Sequence, residues 1–228
     1  MLTCITVLFR PAKIMQATAN TATYTPEWAD KLYRGLKRNL TEPFRMIVLT
    51  DHDPKEFKEP LEAIPFIMPE HVGTWMCINE IFREDLGIEH GLFMGLDTVI
   101  CKNIDALAKY KGKFCMVQHP RFADRLINPI TLFRGKGCSW MWDRYKKNPE
   151  KAVEESKTRA WAIQQGSEML WWEKLNPWCD KIHRIAPDFK IHSYKLENTL
   201  LDESHMIYWH GRLKPHTSRE KIVKDNWV

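Results

Sequence analysis

Short unbroken apolar runs alternate along this chain with stretches whose apolar positions recur three or four residues apart, the pattern of strands feeding crossover helices. Thr3 to Phe9 is the first such run and predicts a buried strand. Thr25-Pro26-Glu27 then supplies an N-cap, a proline at the first helical position and an early acid, and Trp28, Leu32 and Leu36 follow at four-residue spacing. That predicts a helix to about Asn39. Phe44 to Thr50 reads as a second strand running into Asp51-His52-Asp53, and Ile64 to Met68 as a short third. Thr74 to Glu84 reads as a helix. Leu92 to Ile100 reads as a central strand, apolar except for Gly95, Asp97 and Thr98. Lys113 to Val117 and Pro129 to Phe133 predict further strands, and Ser139 to Lys147 and Pro149 to Ile163 predict helices joined through Asn148-Pro149. The order predicts an α/β fold, a mixed central sheet with flanking helices in a single domain over residues 1–228, with no repeat or flexible linker to divide it.

An acid inside an apolar strand needs a physical reason. Alternation along that strand would put Phe93, Gly95, Asp97 and Val99 on one side, with Asp97 near the C-terminal end, where open α/β sheets bind ligands. A carboxylate there can hold Mg²⁺ or Mn²⁺ against a diphosphate, and it can equally cap a helix starting near Asn103. A second constellation is Met206-Ile207-Tyr208-Trp209-His210-Gly211-Arg212-Leu213-Lys214-Pro215, a strand-like run broken by glycine and followed by a basic turn. In it a His can ligate metal, Gly lets the backbone approach a ligand, and Lys can neutralise a phosphate; a solvated surface turn is the alternative.

Charge narrows the classes. Against 29 acids stand 34 Lys and Arg, a net charge of +5, which suits phosphorylated ligands without specifying nucleic acid. The six cysteines have neither disulfide-framework nor zinc-site spacing and predict free thiols in a reducing cytoplasm. Met1 to Phe9 is too short for a membrane span and lacks a basic leader. Trp140, Trp142, Trp161, Trp171, Trp172, Trp178 and Trp209 crowd the second half, where acceptor contacts could lie, although core packing explains most of them without help.

The strand ending in Leu-Asp-Thr-Val-Ile, together with the late Trp-His-Gly-X-X-Lys-Pro, resembles the glycogenin-like, retaining GT-A glycosyltransferases, small bacterial and phage members especially. Tyr24-Thr25-Pro26-Glu27, Pro43-Phe44-Arg45 with Leu49-Thr50-Asp51, Gly166-Ser167-Glu168 and Ser193-Tyr194-Lys195 extend the likeness over nearly the whole chain. The resemblance implies a GT-A-like, Rossmann-like fold that takes a nucleotide-diphosphate sugar over the C-terminal strand ends. It implies Mn²⁺ or Mg²⁺ bridging Asp97, His210 and the diphosphate, with Lys214 on the phosphates. Thr6, Val7, Thr50 and Asp51 would lie near base and ribose, Gly95, Leu96 and Gly211 along the donor, and Asn128 and Glu168 near the sugar. Residues 137–228 would form the acceptor side and the C-terminal part of the active site. The implied chemistry stabilises an oxocarbenium-like state and a departing diphosphate without a protein nucleophile.

Departures from the family pattern fall in the same region. Its Asp-X-Asp reads Gly95-Leu96-Asp97, a usual lysine is replaced by Ile78, and the usual Asp-Gln pair reads Glu168-Met169. The missing first acid predicts a weakened metal site, and the changes together permit an altered donor, a metal-poor route through Lys214 and Arg212, or a nucleotide-sugar binder with slow turnover. The acceptor is open among glycan, polysaccharide, protein and modified DNA base. A basic, aromatic-rich nucleic-acid binder is a competing class, although acids interleave the basic residues throughout. A two-metal hydrolase would need more convergent carboxylates or histidines than Asp51, Asp53 and Asp97 supply.

Overall fold

The computed structural model describes residues 1–11, 24–163, 166–211 and 213–228. Strand β1 (Leu2–Leu8) is buried along its whole length. It lies between two parallel neighbours, β2 (Phe44–Thr50) on one side and β4 (His90–Met94) on the other. β3 (Glu62–Ile64) extends the sheet beyond β2. Beyond β4 come β7 (Phe122–Arg134), β6 (Phe114–His119) and β8 (Asp180–Lys181), giving the order β3-β2-β1-β4-β7-β6-β8. β7 runs antiparallel to β4 and to β6, so the sheet is mixed, as expected. A small second sheet holds β5 (Val99–Ile100), β10 (Met206–Tyr208) and β9 (Ile191–Ser193) in the order β5-β10-β9.

Side-chain alternation divides the core between the two faces of the large sheet. Leu2, Cys4 and Leu8 pack with Leu32 and Leu36 of the helix Pro26–Asn39, and with Met206 and Ile207 of β10. Ile5, Val7, Ile47 and Leu49 face the other way, onto Met76 and Ile81 of a 3₁₀ segment (Trp75–Phe82) and the helices Gly135–Lys147 and Glu168–Leu175.

Four sequence expectations change. The run from Leu92 to Ile100 is two strands: β4 stops at Met94, a turn closes through Thr98 N–H donating to the Gly95 carbonyl at 3.0 Å, and β5 joins the other sheet. The third strand lies at β3 instead of Ile64 to Met68, because the N–H groups of Ile67 and Met68 donate to the buried Glu80 carboxylate. Thr74 to Glu84 winds as a 3₁₀ helix over Trp75–Phe82. The helix from Pro149 ends at Ser156, whose hydroxyl donates back to the Val153 carbonyl at 2.7 Å and accepts Ser167 N–H at 2.9 Å.

Among the tryptophans of the second half, Trp142, Trp171, Trp172 and Trp209 are buried, whereas Trp140, Trp161 and Trp178 are exposed. Trp172 is the hub. Its Nε1–H donates to Asn79 Oδ1 at 2.7 Å, and its ring meets Phe82 and Phe93 edge-on at 5.1 and 5.8 Å. It thereby ties the helix Glu168–Leu175 to the sheet. Trp172→Ala should lower unfolding free energy by about 3–5 kcal/mol, while Trp178→Ala, at an exposed ring, should stay within about 0.5 kcal/mol. Urea unfolding followed by circular dichroism compares the two, and equal midpoints would remove Trp172 from this role.

Candidate active site

After β1 the chain builds β2 and β3 to one side, then crosses back to lay β4 on the other, so the connections diverge at the C-terminal ends of β1 and β4. Open α/β sheets bind ligands at such a switch point. A cavity of about 730 Å³ opens there, within the usual range for small-molecule sites. Thr6 and Val7 of β1 line it, with Gly95, Leu96 and Asp97 from the turn after β4, Asn128 from β7, Glu168, and the segment with His210, Gly211 and Lys214. Thr6 Oγ1 donates to the Met94 carbonyl at 2.7 Å, holding the two strand ends together. Thr50 and Asp51 do not line the cavity: at the end of β2, Asp51 accepts Arg10 N–H at 3.1 Å and Thr50 Oγ1 accepts His52 N–H at 3.0 Å. Arg212 lies outside the described residues.

Three segments distant in sequence meet at Asp97. Its Oδ2 accepts a hydrogen bond from Lys214 Nζ at 2.6 Å and from the Tyr24 hydroxyl at 2.7 Å, and Lys214 Nζ donates to that hydroxyl at 2.5 Å. Lys214 is 7% exposed and Asp97 9%, so the ion pair is buried. The Lys214 backbone is fixed by Thr217, whose Oγ1 donates to its carbonyl at 2.8 Å, and Pro215 opens the turn that carries both. Gly211 has φ +78°, a left-handed conformation that suits glycine. Asp97 caps no helix; near Asn103 the short helix Asp105–Ala108 is preceded by Asn103 Oδ1 accepting Asp105 N–H.

Glu168 opens its helix beneath the cavity and is 6% exposed. Burial pushes its carboxyl up to about 7, while Asn128 Nδ2, donating to Oε1 at 2.8 Å, and the N–H groups of Glu168 and Met169 pull the other way. Burial also holds the His210 imidazole below its usual range, with Lys195 and His119 adding to the effect.

The Mn²⁺ or Mg²⁺ implied at Asp97 and His210 meets a poor donor set. Asp97 Oδ2 already carries an ammonium and a phenol, and Gly95 offers no side-chain oxygen. A Cβ at Gly95 would sit 3.3 Å from Asp97 Oδ1, so an acid there would have stood beside it. No group of three His, Cys, Asp or Glu able to hold a metal occurs among the described residues. The residues present do not fit a protein-held divalent cation.

Tyr24, His119, Arg125 and Arg159, to which sequence reasoning assigns no role, also line the cavity. Tyr24 was reachable: a helix that follows β1 starts at the sheet's C-terminal edge, and Tyr24 directly precedes its N-cap. His119 and Arg125 flank the tight β6–β7 connection, and Arg159 lies between helices, where no periodic signal marks a site.

No protein-family profile and no curated protein sequence matches the chain. Solved structures do. The glycosyltransferase GlyE of Streptococcus pneumoniae TIGR4 aligns with 99% of this chain and 58% of its own, at TM-score 0.65 and 9% identity. An active-site mutant of LgtC aligns with 98% and 93%, at TM-score 0.65 and 10% identity. The bifunctional glycosyltransferase WbbM aligns with 100% and 49%, at TM-score 0.65 and 10% identity. The chain has the GT-A glycosyltransferase fold. It spans little more than half of GlyE and about half of WbbM, and at such identities the likeness is one of fold.

Because the Glu168 carboxyl is raised in the folded protein, the folded state keeps a proton that the unfolded chain releases from about pH 4.5 upward. Its contribution to stability therefore falls as pH rises towards 7 and is lost above it, a loss of about 3 kcal/mol for a rise of that size. Glu168→Gln keeps an acceptor for Asn128 and removes the ionisation. It should raise the melting temperature by several degrees at pH 8 and by much less at pH 5. Equal changes at the two pH values would show that Glu168 does not titrate in this window.

Proposed function

We propose that the chain is a glycosyltransferase that moves a sugar from a nucleotide-diphosphate sugar to an acceptor, in the manner of the glycogenin-like retaining enzymes. The observation that carries this is the buried Asp97–Lys214 pair inside a cavity at the sheet's switch point. Galactosyltransferase LgtC, which shares the fold at TM-score 0.60 and 10% identity, has been crystallised with donor and acceptor sugar analogs. Base and ribose would lie towards Thr6 and Val7, with Thr50 and Asp51 behind them. The diphosphate would pass Gly95, Leu96 and Gly211 to reach Lys214, and the sugar would meet Asn128 and Glu168.

In this arrangement the bond from the sugar's anomeric carbon to the phosphate oxygen breaks, and its electron pair leaves with the phosphate. The Lys214 ammonium faces the charge that develops there. The acceptor oxygen bonds to the anomeric carbon while its proton passes to the departing phosphate. Asn128 and Glu168 orient the sugar through its hydroxyls. Residues 137–228 would form the acceptor side, with the exposed ring of Trp161 and Arg159 lining the cavity. All six cysteines are free, in keeping with a reducing cytoplasm. No helix among the described residues is long and apolar enough to cross a membrane.

Calorimetry against uridine, guanosine, adenosine, cytidine and thymidine diphosphates and their common sugars should find one family of ligands that binds. Silence across the panel would end the donor-site assignment. Lys214→Ala should weaken donor binding at least about ten-fold, whereas Lys151→Ala, at an exposed helix position, should not change it. Removing one partner of a buried pair destabilises the fold, so Asp97→Asn/Lys214→Met, which discharges both positions, provides a second test. A folded double variant with undiminished affinity would exclude the pair from donor binding.

A further inference from the structure

A divalent cation at a diphosphate needs oxygen ligands and contributes two positive charges. Beside Lys214 the site has one carboxylate, Asp97, and its Oδ2 is already engaged. An ammonium has three N–H donors; Lys214 spends one on Asp97 and one on the Tyr24 hydroxyl, and among the described residues nothing takes the third. The pair holds Nζ in place while one donor remains for a ligand. Nζ also lies 4.9 Å from the centre of the Tyr24 ring, whose face favours a cation.

The cavity holds a second lysine. Lys195 lines the same cavity, is exposed, and forms no hydrogen bond or ion pair with another described residue. Its backbone position is set from both sides: Tyr194 N–H donates to the Tyr208 carbonyl at 3.0 Å, the Tyr194 ring stacks on Trp209 at 4.9 Å, and Glu197 Oε2 accepts Ser193 N–H at 2.8 Å. Lys195, His210 and Lys214 all line this one cavity. A metal ion on the remaining oxygen of Asp97 would face the Lys214 charge across a single carboxylate, with no second acid at residue 95 to offset the repulsion.

We propose that Lys214 and Lys195 replace a divalent cation at the donor diphosphate, so that this chain binds its nucleoside diphosphate without metal. The ligand's identity rests on the glycosyl-transfer reading of the cavity; the absence of a metal requirement rests on the side chains just described. Lys214 is the fixed charge, held by Asp97 and Tyr24. Lys195 is the movable one, free to follow the second phosphate.

The wild-type protein decides between the possibilities without any substitution. Each nucleoside diphosphate is titrated calorimetrically in EDTA and again in excess Mn²⁺, and the one that binds should do so with affinities within about three-fold of each other. Lys195→Ala should lower that affinity about ten-fold in both conditions. Binding that vanishes in EDTA and returns with Mn²⁺ would overturn the inference and leave glycosyl transfer standing. No binding in either condition would overturn both. Mn²⁺ binding without nucleotide, followed by electron paramagnetic resonance, gives an independent reading. Gly95→Asp/Lys214→Met sets a second carboxylate beside Asp97 and removes the ammonium, and should bind Mn²⁺ at least about ten-fold more tightly than the wild type. Tight Mn²⁺ binding by the wild type would overturn the inference even if that variant does not fold.

Discussion

The interaction on which this structure turns is the buried ion pair of Asp97 and Lys214. Two charges withdrawn from water are costly unless each finds its partner and its hydrogen bonds. Here the partners come from three distant parts of the chain: Asp97 from the turn after β4, Lys214 from the turn beyond β10, and Tyr24 from just before the N-cap of the helix Pro26–Asn39. Satisfying that one carboxylate draws all three segments to the C-terminal edge of the sheet and closes one side of the cavity. Such a pair is weak evidence for stability but strong evidence for register, since a shift in any of the three segments would strand a charge.

The register depends in turn on a local event at Gly95. An uninterrupted strand from Leu92 to Ile100 would have carried Asp97 past the edge of the large sheet. Instead the chain turns, Gly95 N–H donates to the Pro129 carbonyl at 2.9 Å, and β5 is delivered to the second sheet, where it pairs antiparallel with β10. β10 leads straight into His210 and Lys214. The small sheet is thus the strut that brings the basic turn back to the acid, and its own burial against the helix Pro26–Asn39 secures Tyr24 on the same edge.

Long elements with strong periodicity were legible in the sequence, and those whose limits depend on distant partners were not. The spacing of Trp28, Leu32 and Leu36 predicted the helix Pro26–Asn39, and unbroken apolar runs predicted β1 and β2. The break after Met94 left no mark, because Leu96, Val99 and Ile100 are buried in the core just as a continuing strand would be. The shift of β3 is of the same kind: Ile67 and Met68 look like strand residues until the Glu80 carboxylate, which also accepts from Arg83 at 2.9 Å, takes their N–H groups. In the site, residue types suggested Asp97, His210, Gly211 and Lys214, and the cavity gathers all four. That Lys214 would sit on Asp97 was not legible, since 117 residues separate them and nothing local records the pairing.

The two buried acids of the cavity are neutralised by different physical means, and the difference bears on what the site can hold. Asp97 stays compatible with burial because an ammonium lies 2.6 Å away. Glu168 has no cation on it; burial instead favours its protonated form until about pH 7, against the pull of Asn128 and two peptide N–H groups. Below that pH neither carboxyl presents an uncompensated negative charge to an incoming anion. Arg159 is matched by Glu173 at 2.8 Å, which leaves Lys195, together with Arg125 stacked on Phe122 at 4.0 Å, as the uncompensated charges among the described residues that line the cavity. The field inside is therefore positive although acids lie at its centre, and it strengthens as pH falls and Glu168 takes up its proton. A cavity so arranged favours an anionic ligand through cations at its wall, while Asp97 serves to fix a lysine.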